Sequence, residues 1–166
     1  MRLRHKLGIV GISALSLLGT MGLDAPSAGA DTAVHYMTLS GSTRVKDDEV
    51  IARRDKYCNH DLTGFDSAQV PRDTSAKVDD TNNTCGGEVR AEVHITGTLN
   101  DAGRWCVSGV VELYEGTRAD NHDLDGTKAL SQKCTDAGGT IEWDGRVNNT
   151  NEGGDWADYH VDVFAG

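Results

Sequence analysis

Apolar residues recur at every second position in several stretches of the chain. From Val89 to Leu99, Val89, Ala91, Val93, Ile95, Gly97 and Leu99 alternate with Arg90, Glu92, His94, Thr96 and Thr98. That period is the mark of a strand with one face buried. Asn100-Asp101-Ala102-Gly103 supplies turn chemistry. Alternation then resumes from Trp105 to Glu115, with Val107, Val111 and Leu113 on one face, so the two runs predict a hairpin. Thr140 to Val147 places Ile141, Trp143 and Val147 inward, and Trp156 to Phe164 does the same with Ala157, Tyr159, Val161 and Val163. A Gly/Asn-rich turn, Asn148 to Asp155, separates those two runs. A fifth run, Met37 to Val45, puts Met37, Leu39 and Val45 on one face. Weaker strands are predicted at Val50–Tyr57 and Thr127–Lys133. Glu49 to Lys56 has fair helix propensity but is too short to stand as a helix. The pattern predicts an all-β fold: an antiparallel β-sandwich of six to eight strands, with a small closed β-barrel as the alternative.

The least regular stretch is Asn59 to Thr84, which holds Pro71 and many Asp, Thr and Ser residues. It reads as a long loop, and long loops in compact domains are usually functional or disordered.

The first thirty residues change the picture. Arg2, Arg4 and Lys6 precede an apolar run from Gly8 to Leu18, and Ala28-Gly29-Ala30 supplies small residues at the −3 and −1 positions of a cleavage site. This is the layout of a secretory signal peptide over residues 1–30, followed by a single secreted β domain over 31–166. No later segment reaches the roughly 20 apolar residues of a membrane helix. All four cysteines, Cys58, Cys85, Cys106 and Cys134, fall after the signal. An even count in an exported chain predicts two disulfides. Three pairings are possible, and local loop closure favours Cys58–Cys85 with Cys106–Cys134. The chain carries a net charge of −10. Removing residues 1–30 takes away three basic residues and one Asp, leaving −12. Such a charge repels nucleic acid and anionic membrane, and suits a basic protein partner, a bound cation or solubility outside the cell.

Candidate chemistry is sparse. Asn121, Asp123 and Asp125 alternate ahead of Gly126, as oxygen ligands do in a calcium loop. The position eleven residues after Asn121 is Gln132 rather than a bidentate Glu, and the flanks read as strands. A solvated turn is the competing interpretation, and no other cofactor is expected. The acidic groups Asp47-Asp48-Glu49 and Asp79-Asp80 read as solvated surface. His35, His60, His94, His122 and His160 are scattered, and no nucleophile elbow or comparable catalytic set is present. The chain is therefore not expected to be an enzyme. Val70-Pro71-Arg72-Asp73 is an extended segment of the kind that trypsin-like proteases accept, with Arg72 as the specificity residue. Inhibition of such proteases is one alternative function, and calcium-dependent binding is another. Asp31 to Ser42 is polar and β-prone and contains Tyr36, Met37 and Leu39. It can pair with its own sheet or with a partner's edge.

The segment Val111-Glu112-Leu113-Tyr114-Glu115-Gly116-Thr117, followed by Asp123-Leu124-Asp125-Gly126, resembles a strand-and-acidic-turn signature of small secreted proteins of high-GC Gram-positive bacteria. Among these are the adaptor subunits of umbrella-shaped toxin particles. The resemblance implies a non-catalytic adaptor in an extracellular, toxin-type complex, bridging a trypsin-like lectin subunit and a large toxin subunit. It would engage them through an N-terminal segment and a loop. The corresponding positions here are Asp31 to Ser42, with Tyr36, Met37 and Leu39, and the region Val70, Pro71, Arg72 and Asp73.

Overall fold

The alternating runs fold as strands in the computed structural model, which describes residues 34–48, 54–69, 75–81, 84–116, 123–151 and 153–166. The strands are β1 (Val34–Asp47), β2 (Lys56–Gln69), β3 (Ser75–Thr81), β4 (Val89–Leu99), β5 (Trp105–Glu115), β6 (Asp123–Thr135), β7 (Gly139–Asn148) and β8 (Trp156–Ala165). They form two four-stranded antiparallel sheets, ordered β2-β1-β8-β7 and β3-β4-β5-β6. No helix occurs among the described residues. The fold is the expected β-sandwich, and the barrel alternative fails because the two sheets remain separate.

Chain order explains the topology. β1 and β2 form one hairpin, the chain crosses to the other sheet for the β3-to-β6 meander, and it returns for the β7–β8 hairpin. The first and last strands then pair, from Met37 opposite Ala165 to Lys46 opposite Trp156. Alternation puts Met37, Leu39 and Val45 of β1, Val161 and Val163 of β8, and Val93, Ile95, Trp105, Val107, Val111 and Leu113 of the second sheet into a common core. Fully burying an aliphatic or aromatic side chain of this kind contributes roughly 1.5–3 kcal/mol. The Trp143 indole N–H crosses from β7 to donate to the Ser131 carbonyl of β6 at 3.0 Å.

The segment expected to be a long loop from Asn59 to Thr84 is mostly strand. Its residues supply β2 and β3, which are edge strands of opposite sheets. The alternation is faint because polar or small residues interrupt the inward phase: His60, Gly64 and Asp66 beside Leu62 on β2, and Ala76 and Asp80 beside Val78 on β3. At Gly64 a Cβ would stand 2.1 Å from a Val78 methyl, so the sheets meet there too closely for any side chain. The N-terminal segment pairs with its own sheet, since β1 is an interior strand between β2 and β8. Of the strand predicted at Val50–Tyr57, residues 50–53 lie outside the described set and β2 begins at Lys56. The strand predicted at Thr127–Lys133 is the middle of the longer β6. Residues 1–30 also lie outside the described set.

Both disulfides close locally. Cys58 of β2 joins Cys85, which sits beside the start of β4 and so ties one sheet to the other. Cys106 and Cys134 are opposite neighbours on β5 and β6. With no free cysteine left, this usage fits an oxidising compartment. Each bridge spans 27 or 28 residues. Chain entropy then predicts that a Cys58→Ser, Cys85→Ser double variant loses about 3.5 kcal/mol of stability. Guanidinium unfolding midpoints of the two proteins would measure the difference.

Candidate functional site

The outer face of the β2-β1-β8-β7 sheet is set by the even-numbered residues of β1, β7 and β8 and the odd-numbered residues of β2, whose neighbours point into the core. Aromatic side chains gather at its two ends. At the first end the Tyr36 ring lies 5.9 Å from Phe65 of β2 and 6.0 Å from Phe164 of β8. Val34 and Phe65 are 57% and 66% exposed, Tyr36 is exposed and Phe164 is half-buried. Three adjacent strands thus build one solvent-facing apolar platform. The β1–β8 ladder is continued beneath it by paired hydrogen bonds between Tyr36 and Gly166.

The second end lies about 27 Å further along β1, eight residues at the usual strand rise. There Tyr57 and Trp156 approach to 6.1 Å. The Arg44 guanidinium sits 4.9 Å from the Tyr57 ring centre, and that of Arg146 sits 3.8 Å from Trp156. Arg146 also donates two hydrogen bonds to Asp158, at 2.5 and 2.8 Å. That fork holds the Asp158 carboxyl below the ordinary carboxylate range, against an opposing effect of burial. Lys46 lies 3.3 Å from Asp55 and 3.5 Å from Asp48. These cations are already engaged by acids and rings, so this end is a mixed, self-neutralised surface.

Between the ends, His160 is held on both sides. Its Nδ1 is 2.6 Å from Asp144 and its Nε2 is 3.1 Å from Asp162. The Asp144 hydrogen bond and the two acid charges raise the His160 pKa above its ordinary value of 6.5, outweighing desolvation. Carboxylates engage His60 and His94 as well, with His60 Nε2 2.9 Å from Asp80 and His94 Nδ1 2.8 Å from Asp79, whereas His35 packs edge-on to Trp105.

The residues singled out from sequence are placed as follows. Tyr36 is on the exposed platform, whereas Met37 is fully buried and Leu39 nearly so. As inward residues of an interior strand, Met37 and Leu39 have no surface to offer a partner, which corrects their assignment as binding residues. Val70, Pro71, Arg72 and Asp73 lie outside the described residues, between the ends of β2 and β3. Asn121 is likewise outside, while Asp123 is exposed at the start of β6. Asp125 is buried at a β-bulge, where Leu113 pairs with Gly126 and Tyr114 with Leu124. One carboxylate oxygen of Asp125 accepts from the Asn151 amide at 2.8 Å, and its backbone carbonyl accepts from the backbone and hydroxyl of Thr150. Asp125 therefore anchors the turn between β7 and β8. Phe65, Phe164, Tyr57 and Trp156 escaped the sequence reading. Their signal was an aromatic side chain on the polar phase of an alternating run.

An open groove of about 450 Å³ lies between the edges of β6 and β7, lined by Lys133, Thr135, Thr140 and Glu142 among others. Lys133 donates there to the Glu142 carbonyl and lies over the Trp143 ring. Among the described residues, the grouping of side chains able to close on a metal is Glu92, His94 and Glu112, on the opposite sheet. No known family model matches the chain, and no curated protein matches it in sequence.

The raised His160 pKa has a definite sign. The ion pairs favour imidazolium in the folded chain, so their stabilisation is complete below pH 6.5 and is lost as pH rises through the raised value. Because the side chain is nearly half exposed, solvent screening keeps the effect small. His160→Gln should flatten the decline of melting temperature above pH 6.5, and a series of thermal melts in matched buffers would show it.

Proposed function

We propose that this chain is a secreted, non-enzymatic binding domain, an adaptor or subunit of an extracellular complex. It meets a protein partner with the aromatic end of the β2-β1-β8-β7 face. The observation that carries this reading is the platform of Val34, Tyr36, Phe65 and Phe164, built across three strands and left open to solvent. Contiguous apolar surface of this kind, rimmed by polar residues, is characteristic of interaction sites. Tyr and Phe are enriched in the buried centres of interfaces. Thr38, Ser40 and Ser42 continue the same face as a small polar surroundings.

Two further features support a partner rather than a substrate. Both ring nitrogens of His160 face carboxylates, so neither is directed at a nucleophile. The acidic chain favours a basic protein and disfavours nucleic acid and anionic lipid. The resemblance to toxin-particle adaptors names a type of complex in which such a domain would serve, and Tyr36 is the outward-facing member of the N-terminal residues it points to.

Affinity capture from the producing organism's own culture supernatant tests the proposal. Wild-type mature protein and a Tyr36→Ala, Phe65→Ala variant would be compared as bait. A shared hot spot at these rings would make the variant's affinity for the captured protein lower by roughly thirtyfold, with little change in melting temperature. Equal capture by both baits would remove the platform from the interface. Trypsin inhibition that survives this variant and vanishes with Arg72→Ala would instead favour the protease-inhibitor function.

A further inference from the structure

We infer that Glu92, His94 and Glu112, on the outer face of the β3-β4-β5-β6 sheet, form a binding site for a divalent metal ion of the zinc class. One ligand atom from each side chain lies within 4.8 Å of the others. The site is distinct from the aromatic platform and does not depend on it.

The register creates the arrangement. Glu92 of β4 and Glu112 of β5 are directly opposite each other, and Asp79 of β3 is directly opposite His94. Two acids placed opposite on neighbouring strands destabilise a sheet unless a cation lies between them. Arg90 meets one oxygen of Glu92, and His94 Nε2 faces the remaining oxygen of Glu92 together with Glu112, so an ion would sit among these three atoms. The His94 Nε2 stands 3.4 Å from Glu92 Oε2 and 3.5 Å from Glu112 Oε2. Those separations exceed the roughly 2.7–3.2 Å of a good N–H···O bond. They match the ligand-to-ligand edge of a zinc tetrahedron, about 3.3–3.5 Å for metal–ligand bonds of about 2.0–2.1 Å.

The surrounding groups orient the three ligands. The Asp79 carboxylate lies 2.8 Å from His94 Nδ1. A proton held there leaves the Nε2 lone pair free for metal, in the carboxylate–histidine pattern common to zinc centres. Arg90 Nε donates to the outer oxygen of Glu92, Oε1, at 2.8 Å and leaves Oε2 turned toward His94. The Tyr114 hydroxyl donates at 2.6 Å to Glu112 Oε2, the oxygen that also faces His94, and so fixes its direction while a second lone pair of that oxygen serves the metal. Arg90 also lies over the Tyr114 ring, 4.6 Å from its centre. Glu92 and Glu112 are partly buried, with side-chain exposures of 14% and 21%, and His94 is more open at 35%. All of these residues stand on paired strands, which hold a ligand set more firmly than a loop does. With neutral His94, the three acids and Arg90 sum to −2, the charge that a divalent ion neutralises. Three protein ligands leave a fourth tetrahedral position facing solvent, for water or a donor atom from another molecule.

Zinc titration of the mature, untagged protein after chelator treatment tests the inference, read by calorimetry and by retained metal after dialysis. One equivalent of zinc should bind at micromolar free metal or below and raise the melting temperature. All four cysteines are in disulfides, so thiolate binding does not compete. His94→Gln and Glu112→Gln should each weaken binding at least tenfold. Asp79→Asn acts only through the imidazole and should weaken it by about 10–100-fold, with the metal-free melting temperature unchanged. His160→Gln should bind zinc as wild type does. Cobalt substitution provides a readout in the wild-type protein: a tetrahedral visible spectrum with a shifted His94 imidazole resonance is expected. Failure to retain zinc, undiminished affinity in His94→Gln, a cobalt spectrum without a His94 shift, or displacement of zinc by equal calcium would each overturn the site.

Discussion

The pairing of β1 with β8 is the constraint on which the rest of the structure depends. It joins the first strand to the last, from Met37 opposite Ala165 to Lys46 opposite Trp156. Without it the first sheet would be two separate hairpins, each too small to be stable alone. The contact is close: at Gly41, with φ of +123°, a Cβ would come within 2.1 Å of the His160 carbonyl oxygen. The backbone of β8 therefore occupies the space of a missing side chain on β1. This ladder buries Met37, Leu39, Val161 and Val163 on one side and lines up Tyr36 with Phe164 on the other. Core and platform are the two faces of one interaction.

The two outer faces differ for reasons that begin in the residues. On the first sheet, aromatic rings on the outward phase cluster at the strand ends, with hydroxyl side chains of β1 and the His160–Asp144–Asp162 group between them. On the second, the outward phase of β4 and β5 carries Arg90, Glu92, His94, Glu112 and Tyr114, and the ladder turns these into a compact ionic group. Apolar surface gives affinity for a large partner, whereas converging charged groups favour a small ion. The sandwich thus keeps two different kinds of surface apart on opposite sides of one core.

Much of this was legible in the sequence. The runs Val89–Leu99, Trp105–Glu115, Thr140–Val147 and Trp156–Phe164 coincide with β4, β5, β7 and β8 to within a residue or two, because most of their inward positions are Val, Ile, Leu or aromatic. The local disulfide pairing followed from loop length. β2 and β3 were not legible, since edge strands with Gly64 and Ala76 facing inward show too little hydrophobic contrast. Phe65 was lost with them. The Glu92–His94–Glu112 group was hidden for a different reason. Each residue alone is an ordinary outward polar position, and only the register of the β4–β5 hairpin brings them together. The turn at Asn100 to Gly103, pairing Leu99 with Trp105, held that register implicitly.

The central claim is that this scaffold works through the aromatic end of its first sheet. Hydroxyl-radical footprinting of the mature protein in its own culture supernatant, with and without the partner fraction, tests it most directly. Tyr36, Phe65 and Phe164 are predicted to lose reactivity when the partner is present, while Tyr114 on the opposite sheet keeps its own. Unchanged labelling of those three rings alongside protection elsewhere would contradict the account.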